Sequence, residues 1–252
     1  MTSKPLAIVI GMGPGLGQAL VRTFASNGFA VAFVGRSAGA IRDHETAMRS
    51  EGLDVAGFVG DAGKPDVMDQ VHDDIRARYG DAEVLVYNAA IIEPARFVTR
   101  SGIAEANYGT SSGWEAHGEP ASVDYVVDAF RTNVAGAHHA AARVAPAMIE
   151  HGSGTILLTG GVLAFGPWIE WGVTSMGKAA LRSLGHSLFK ELVDHGVHVS
   201  TIAIHGTMRP GTPYDHDLVA QAYLDLHRAP ASEWAPDFHF KKDGEGESDP
   251  DA

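Results

Sequence analysis

Leu6-Ala7-Ile8-Val9-Ile10-Gly11-Met12-Gly13-Pro14-Gly15-Leu16-Gly17-Gln18-Ala19-Leu20 is the stretch that decides the fold. An apolar run, Leu6–Ile10, enters a glycine cluster, and a segment of helical period, Leu16–Asn27, leaves it. A glycine turn in this place lets backbone approach a diphosphate, while the helix N-terminus offers N–H groups and positive potential. Glycine clusters also make ordinary turns, so the strand before and the helix after carry the inference. The spacing G-x-G-x-x-G would need its third glycine at Leu16, and fails there. Gly11, Gly15 and Gly17 instead fit G-x-x-x-G-x-G, with Gly13 inside the turn.

Outward from this point the same alternation continues. Ala30–Val34, Val55–Val59, Val84–Tyr87, Thr155–Thr159 and Val197–Ile204 are short runs rich in Val, Ile or Leu, as expected for strands covered on both faces. Between them, Ala38–Glu51, Pro65–Tyr79, Ser122–Glu150 and Thr174–His195 have helical period. Gly28, Gly52, Gly80, Gly152 and Gly196 follow these segments, where a C-terminal cap is wanted. The repetition predicts an α/β fold: one Rossmann-type, doubly wound parallel sheet in a three-layer α/β/α domain over residues 1–240. Residues 91–121, rich in Gly, Ser and Ala, interrupt the rhythm as an insertion, either a functional lid or a poorly ordered loop. Residues 241–252, KKDGEGESDPDA, are expected to form a disordered tail.

Composition narrows the function. A formal net charge of -12 over 252 residues argues against a nucleic-acid surface. The chain has no cysteine, hence no disulfide, thiol nucleophile or thiolate metal site. Its first apolar run is too short to span a bilayer, so no membrane partner and a cytoplasmic location are expected. The 13 histidines include His138-His139, His195, His198 and His205, but no convincing ligand set, and no catalytic metal is expected.

The glycine spacing is that of the short-chain dehydrogenase/reductase superfamily, and further segments resemble it in order. Gly60-Asp61-Ala62 resembles the segment whose Asp contacts the adenine ring. Tyr87-Asn88-Ala89-Ala90 resembles the N-N-A-G motif beside the cofactor, and Phe130-Arg131-Thr132-Asn133-Val134 the helix with the active-site Asn. Lys178 followed by Ala179-Ala180-Leu181 resembles the segment bearing the ribose-binding Lys, and His205-Gly206-Thr207 lies in the place of a Pro-Gly turn near the nicotinamide amide. The resemblance runs from about Leu6 to about Gly206 and implies nicotinamide dinucleotide binding. Arg36 ends the second strand, where an acidic residue would accept ribose hydroxyls; a guanidinium suits a 2′-phosphate, so NADP(H) is expected before NAD(H).

The chain departs from the family where a Tyr is expected four residues before the Lys, for Thr174 stands there. The expected substrate-binding Ser falls on Gly161, and no tyrosine occurs between Asn133 and Lys178. An aliphatic hydroxyl cannot be tuned as a phenol can. Besides Thr174, Glu170, Arg131 and His138 are candidates for the missing proton donor, each with a plain structural alternative. Trp168 and Trp171 either line an apolar substrate pocket with Gly161 or pack a subunit contact. The expected function is reduction of a C=N or C=O group on a small hydrophobic molecule. A cofactor-retaining cyclase or isomerase, and a non-catalytic NADP-binding protein, are the alternatives. Small residues Ala135, Gly136, Ala140 and Ala141 would allow a homodimer or homotetramer through the long helices, or equally packing on the sheet.

Overall fold

A computed structural model describes residues 4–101 and 118–241. Seven strands, β1 (Leu6–Ile10), β2 (Ala30–Gly35), β3 (Val55–Val59), β4 (Val84–Tyr87), β5 (Gly154–Thr159), β6 (Val197–Ile204) and β7 (Asp237–Phe240), form one sheet. Their order is β3-β2-β1-β4-β5-β6-β7, and every pairing is parallel. Strands β1, β2, β4, β5 and β6 are buried along their whole length, which is why their sequences lack polar alternation.

Seven α-helices cover the two faces: α1 (Leu16–Ser26), α2 (Ala38–Ser50), α3 (Pro65–Tyr79), α4 (Val123–Phe130), α5 (Gly136–His151), α6 (Gly172–Leu192) and α7 (His216–Arg228). One core, with Leu20, Phe24, Phe33, Met48, Val219 and Tyr223, packs α1, α2 and α7 against the sheet. The other, with Ile8, Met68, Ile75, Ala141, Met148 and Leu181, packs α3, α5 and α6 on the opposite face. The three layers and the doubly wound sheet are those expected from the alternation. No helix among the described residues is long and apolar enough to cross a membrane.

One element differs in kind. The segment expected as a single helix, Ser122–Glu150, is interrupted by a π-helical turn at Arg131–Ala135. The wider turn is matched to its neighbours: the Tyr87 hydroxyl donates to the Thr132 carbonyl, and the next residue, Gly136, packs on the Ala62 carbonyl. Periodicity over the full segment could not reveal this, because the partner strand end lies 45 residues away. A boundary also moves: α6 begins at Gly172 rather than Thr174.

The ends of the 91–121 insertion are tied to the body. The Ala95 N–H donates to the Glu170 carbonyl at 2.8 Å, and the Ala121 N–H to the Arg96 carbonyl at 2.8 Å. The middle of the insertion, 102–117, and the expected tail beyond Lys241 lie outside the described residues.

A Cβ at Gly136 would stand 2.3 Å from the Ala62 carbonyl oxygen and 2.4 Å from the Tyr87 hydroxyl. Gly136→Ala is therefore expected to destabilise the fold by about 1–3 kcal/mol, the usual cost of overpacking, read as a lower urea midpoint at unchanged slope.

Candidate active site

The site is built from the carboxyl ends of the strands. Because β1 lies between β2 and β4 while the chain winds in opposite directions from it, a crevice opens above β1 and β4. A cavity of ≈ 650 Å³ fills it, walled by the glycine turn, Arg36, Asp61, Asn88–Ile92, Thr159–Gly161, Trp168, Trp171, Thr174, Lys178 and Ile204–Met208.

At one end the turn after β1 is fixed by backbone contact. Gly11 has φ +106°, and a Cβ on it would lie 2.3 Å from the Ala89 nitrogen; one on Gly17 would lie 2.5 Å from the Gly11 carbonyl oxygen. The Gly11 and Met12 N–H groups donate to the Val34 carbonyl at 3.0 and 2.8 Å, and the Asn88 amide donates to the Gly11 carbonyl at 2.9 Å. Asn88 and Ala89 thus serve as the surface on which the turn rests. Gly13 faces open space, and Gly15, the N-cap of α1, has no side chain to satisfy the first helical N–H groups. No acidic residue lies in the first turn of α1. This leaves a helix N-terminus of positive potential directed at the cavity, with Leu16 buried behind it.

Arg36 is exposed in the wall beyond β2. Asp61 and Ala62 follow β3, and the Asp61 carboxylate accepts from the Gly63 N–H at 3.0 Å. At the other end, α6 brings Lys178 into the wall, where its Nζ donates to the Thr159 carbonyl at 2.6 Å. Burial without a counter-charge draws this ammonium down from 10.5 to about 8. His205, Gly206 and Thr207 leave β6 along the same wall, and so do the indoles of Trp168 and Trp171. Of the two possibilities raised for these indoles, their position is that of cavity lining. Gly161 lines the cavity too, and nothing occupies the space where its side chain would be.

Several expected catalytic residues are placed otherwise. Asn133 is buried outside the wall: its carbonyl oxygen accepts from the Ile91 N–H at 2.6 Å and its amide donates to the Ile91 carbonyl at 3.0 Å. Both polar ends hold the loop after β4, so its role is positioning. Thr174 is in the wall, and its hydroxyl is out of solvent contact with no hydrogen-bond partner among the described residues. Glu170 lies outside the wall, in an ion pair with Arg96 and accepting from the Ser101 hydroxyl at 2.8 Å. A half-buried carboxylate gains more from that guanidinium than from an apolar pocket. Arg131 is exposed and pairs with Asp128 at 2.6 Å, and His138 is exposed; neither lines the cavity.

Polar wall residues assigned no role from the sequence include Thr159, Thr132 and His216. Thr159, at the end of β5, accepts a hydrogen bond at 2.8 Å from the wholly buried phenol of Tyr223 on α7. Thr132 reaches the wall through the π turn, and His216 opens α7 behind the Asp215 cap. The Asp215 cap was a legible helix start; the other contacts join segments far apart in the chain. Among the described residues, no three His, Asp or Glu are grouped to hold a metal ion.

Residues 5–216 match the short chain dehydrogenase family, and the chain belongs to it. An "Uncharacterized oxidoreductase" of Thermotoga maritima is 29% identical over 208 residues, covering 81% of this chain and 71% of that protein. The 2,3-dihydro-2,3-dihydroxybenzoate dehydrogenase of Bacillus subtilis is 23% identical, covering 79% of this chain and 68% of its own. A metagenomic short-chain oxidoreductase crystallised with NADP superposes with a TM-score of 0.77 at 20% identity, covering 94% of this chain and 96% of the other.

Lys178 gives a signed expectation. Its folded value lies below the unfolded 10.5, so the folded chain binds fewer protons between about pH 8 and 10.5. The cost of its buried charge is fully present below pH 8 and fades as pH rises through that window. Lys178→Met should therefore stabilise the free protein at pH 7 by about 1–3 kcal/mol, less the lost Thr159 contact. In denaturant titrations the advantage over the parent should shrink towards pH 10.5.

Proposed function

We propose that the protein is an NADP(H)-dependent oxidoreductase that reduces a C=O or C=N group on a small hydrophobic molecule. One observation carries this reading: a single cavity runs from the glycine turn and Arg36 to Lys178 and the two indoles. Its parts fit a dinucleotide in order. The bare N-terminus of α1 and the open space at Gly13 suit a diphosphate. The Arg36 guanidinium suits a 2′-phosphate, and Asp61 with Ala62 the adenine side, so NADP(H) is preferred to NAD(H). Lys178 suits the hydroxyls of the second ribose, and His205, Gly206 and Thr207 the nicotinamide amide.

When bound, the dihydronicotinamide supplies hydride to an electrophilic carbon. The chain's own residues supply orientation and charge. Lys178, held by the Thr159 carbonyl, keeps a positive charge beside the reacting region, and Asn133 holds Ile91 and with it the wall after β4. Trp168 and Trp171 exclude water and favour an apolar or cationic substrate. With Thr174 and Gly161 in place of the family's Tyr and Ser, the member is divergent, and carbonyl reduction needs a proton from elsewhere. The shielded Thr174 hydroxyl also supports a second reading, a cyclase or isomerase that keeps the cofactor and works through shape and electrostatics. Exposed Val123, Val127 and Phe130 on one face of α4 support a homodimer or homotetramer through the long helices.

Titration of NADPH fluorescence with purified protein should saturate, and Arg36→Asp should weaken NADPH about 10- to 100-fold while leaving NADH little changed. Absence of saturable binding to either dinucleotide would overturn the reading. If the missing groups define the divergence, Thr174→Tyr with Gly161→Ser should gain ketone reduction beyond the parent's, measured as loss of NADPH absorbance.

A further inference from the structure

Carbonyl reduction needs a proton donor beside the reacting oxygen; Glu170 and Arg131 lie outside the cavity wall, and the Thr174 hydroxyl cannot be tuned as a phenol can. Strands β5 and β6 end side by side, with Thr159 opposite Ile202 and the Gly160 N–H donating to the Ile202 carbonyl at 2.8 Å. Gly161 and His205 therefore leave the sheet on neighbouring strand ends, and both line the cavity.

We propose that His205 is the general acid of this site and that exposed His239 passes it a replacement proton as it acts. The proposal rests on the reductase reading above. Gly161 stands where the family's Ser hydroxyl would hold a substrate oxygen, and a His205 ring N–H on the adjacent strand end can supply both hydrogen bond and proton.

The histidines form a built pair. The His205 backbone N–H donates to the Phe240 carbonyl at 3.1 Å, which fixes β6 to β7 beside the cavity. His205 Nε2 lies 2.8 Å from His239 Nδ1, so one ring must donate to the other. Phe165 packs on both rings, stacked against His205 at 6.4 Å between centroids and tilted against His239 at 4.9 Å. Behind it, Arg182 lies 4.6 Å from the Phe165 centroid and donates to the Asp237 carboxylate at 2.9 and 2.5 Å. Asp237 also pairs with His186 at 2.8 Å. Among the described residues, the charged or titratable groups around the pair are Arg182, Asp237 and His186 on the Phe165 side, and Lys178 and His216 in the cavity wall.

The step balances. Hydride from NADPH reduces the carbonyl carbon while a His205 N–H bond breaks and its proton forms the O–H bond of the alcohol. The bond that breaks is at Nδ1, because Nε2 faces His239; the His239 Nδ1–H proton passes to His205 Nε2 in the same step, and after the alcohol leaves, water reprotonates Nδ1 while the Nε2 proton returns to His239.

Two probes separate the roles: acetophenone, whose reduction needs a proton, and N-methyl-3,4-dihydroisoquinolinium, whose reduction does not. With the full chain and NADPH, His205→Gln should lower kcat/KM for acetophenone about 100-fold or more. Its loss on acetophenone should exceed its loss on the iminium by about 30-fold or more, with both rates read at saturating NADPH. His239→Gln should show a smaller loss that added imidazole restores, because the exposed place is open to a diffusible proton carrier. The proposal is overturned if His205→Gln keeps the parent's acetophenone rate, or loses both reductions equally. A parent that reduces only the iminium overturns it while the reductase reading stands; a parent that reduces neither sinks both.

Discussion

The contact of the Gly11–Gly17 turn with the Asn88–Ala89 backbone is the constraint on which the rest depends. It exists because β1 and β4 are hydrogen-bonded neighbours, Ile10 opposite Tyr87, although about 75 residues separate them. Glycine is required at 11 and 17 because backbone on the far side leaves no room for a Cβ. At Gly13 nothing in the protein requires glycine, and at Gly15 the missing side chain leaves the helix uncapped. Two glycines thus close the turn against the protein, and two open it towards a ligand.

This division explains how much could be read in advance. The strand–helix alternation is a local signal, and the ordered motifs from Gly11 to Lys178 set the direction of the cavity. Arg36, Asp61, Lys178, Gly161 and both indoles were legible because each follows a strand end or opens a helix at a family spacing. What the chain could not disclose are contacts between distant segments. Arg96 neutralises Glu170 from 74 residues away, and Tyr87 widens a helical turn into π geometry. Thr174 has the right spacing from Lys178, yet its hydroxyl is shielded, an orientation set by packing around α6.

Away from the glycine turn, the cavity wall carries Lys178 and His205. The buried Lys178 ammonium donates its hydrogen bond to the Thr159 carbonyl, and that residue's hydroxyl accepts from Tyr223 in the opposite layer. The β5 and β6 ends are thereby fixed from both faces of the sheet, and the open space at Gly161 keeps its shape without a side chain in it.

All of this requires the mouth of α1 to receive a diphosphate. Amide hydrogen exchange across residues 11–17, with and without NADPH, tests it most directly. The account predicts slowed exchange at Gly13 to Gly17, accompanied by protection around Lys178. Unchanged exchange in the turn at saturating NADPH would contradict it.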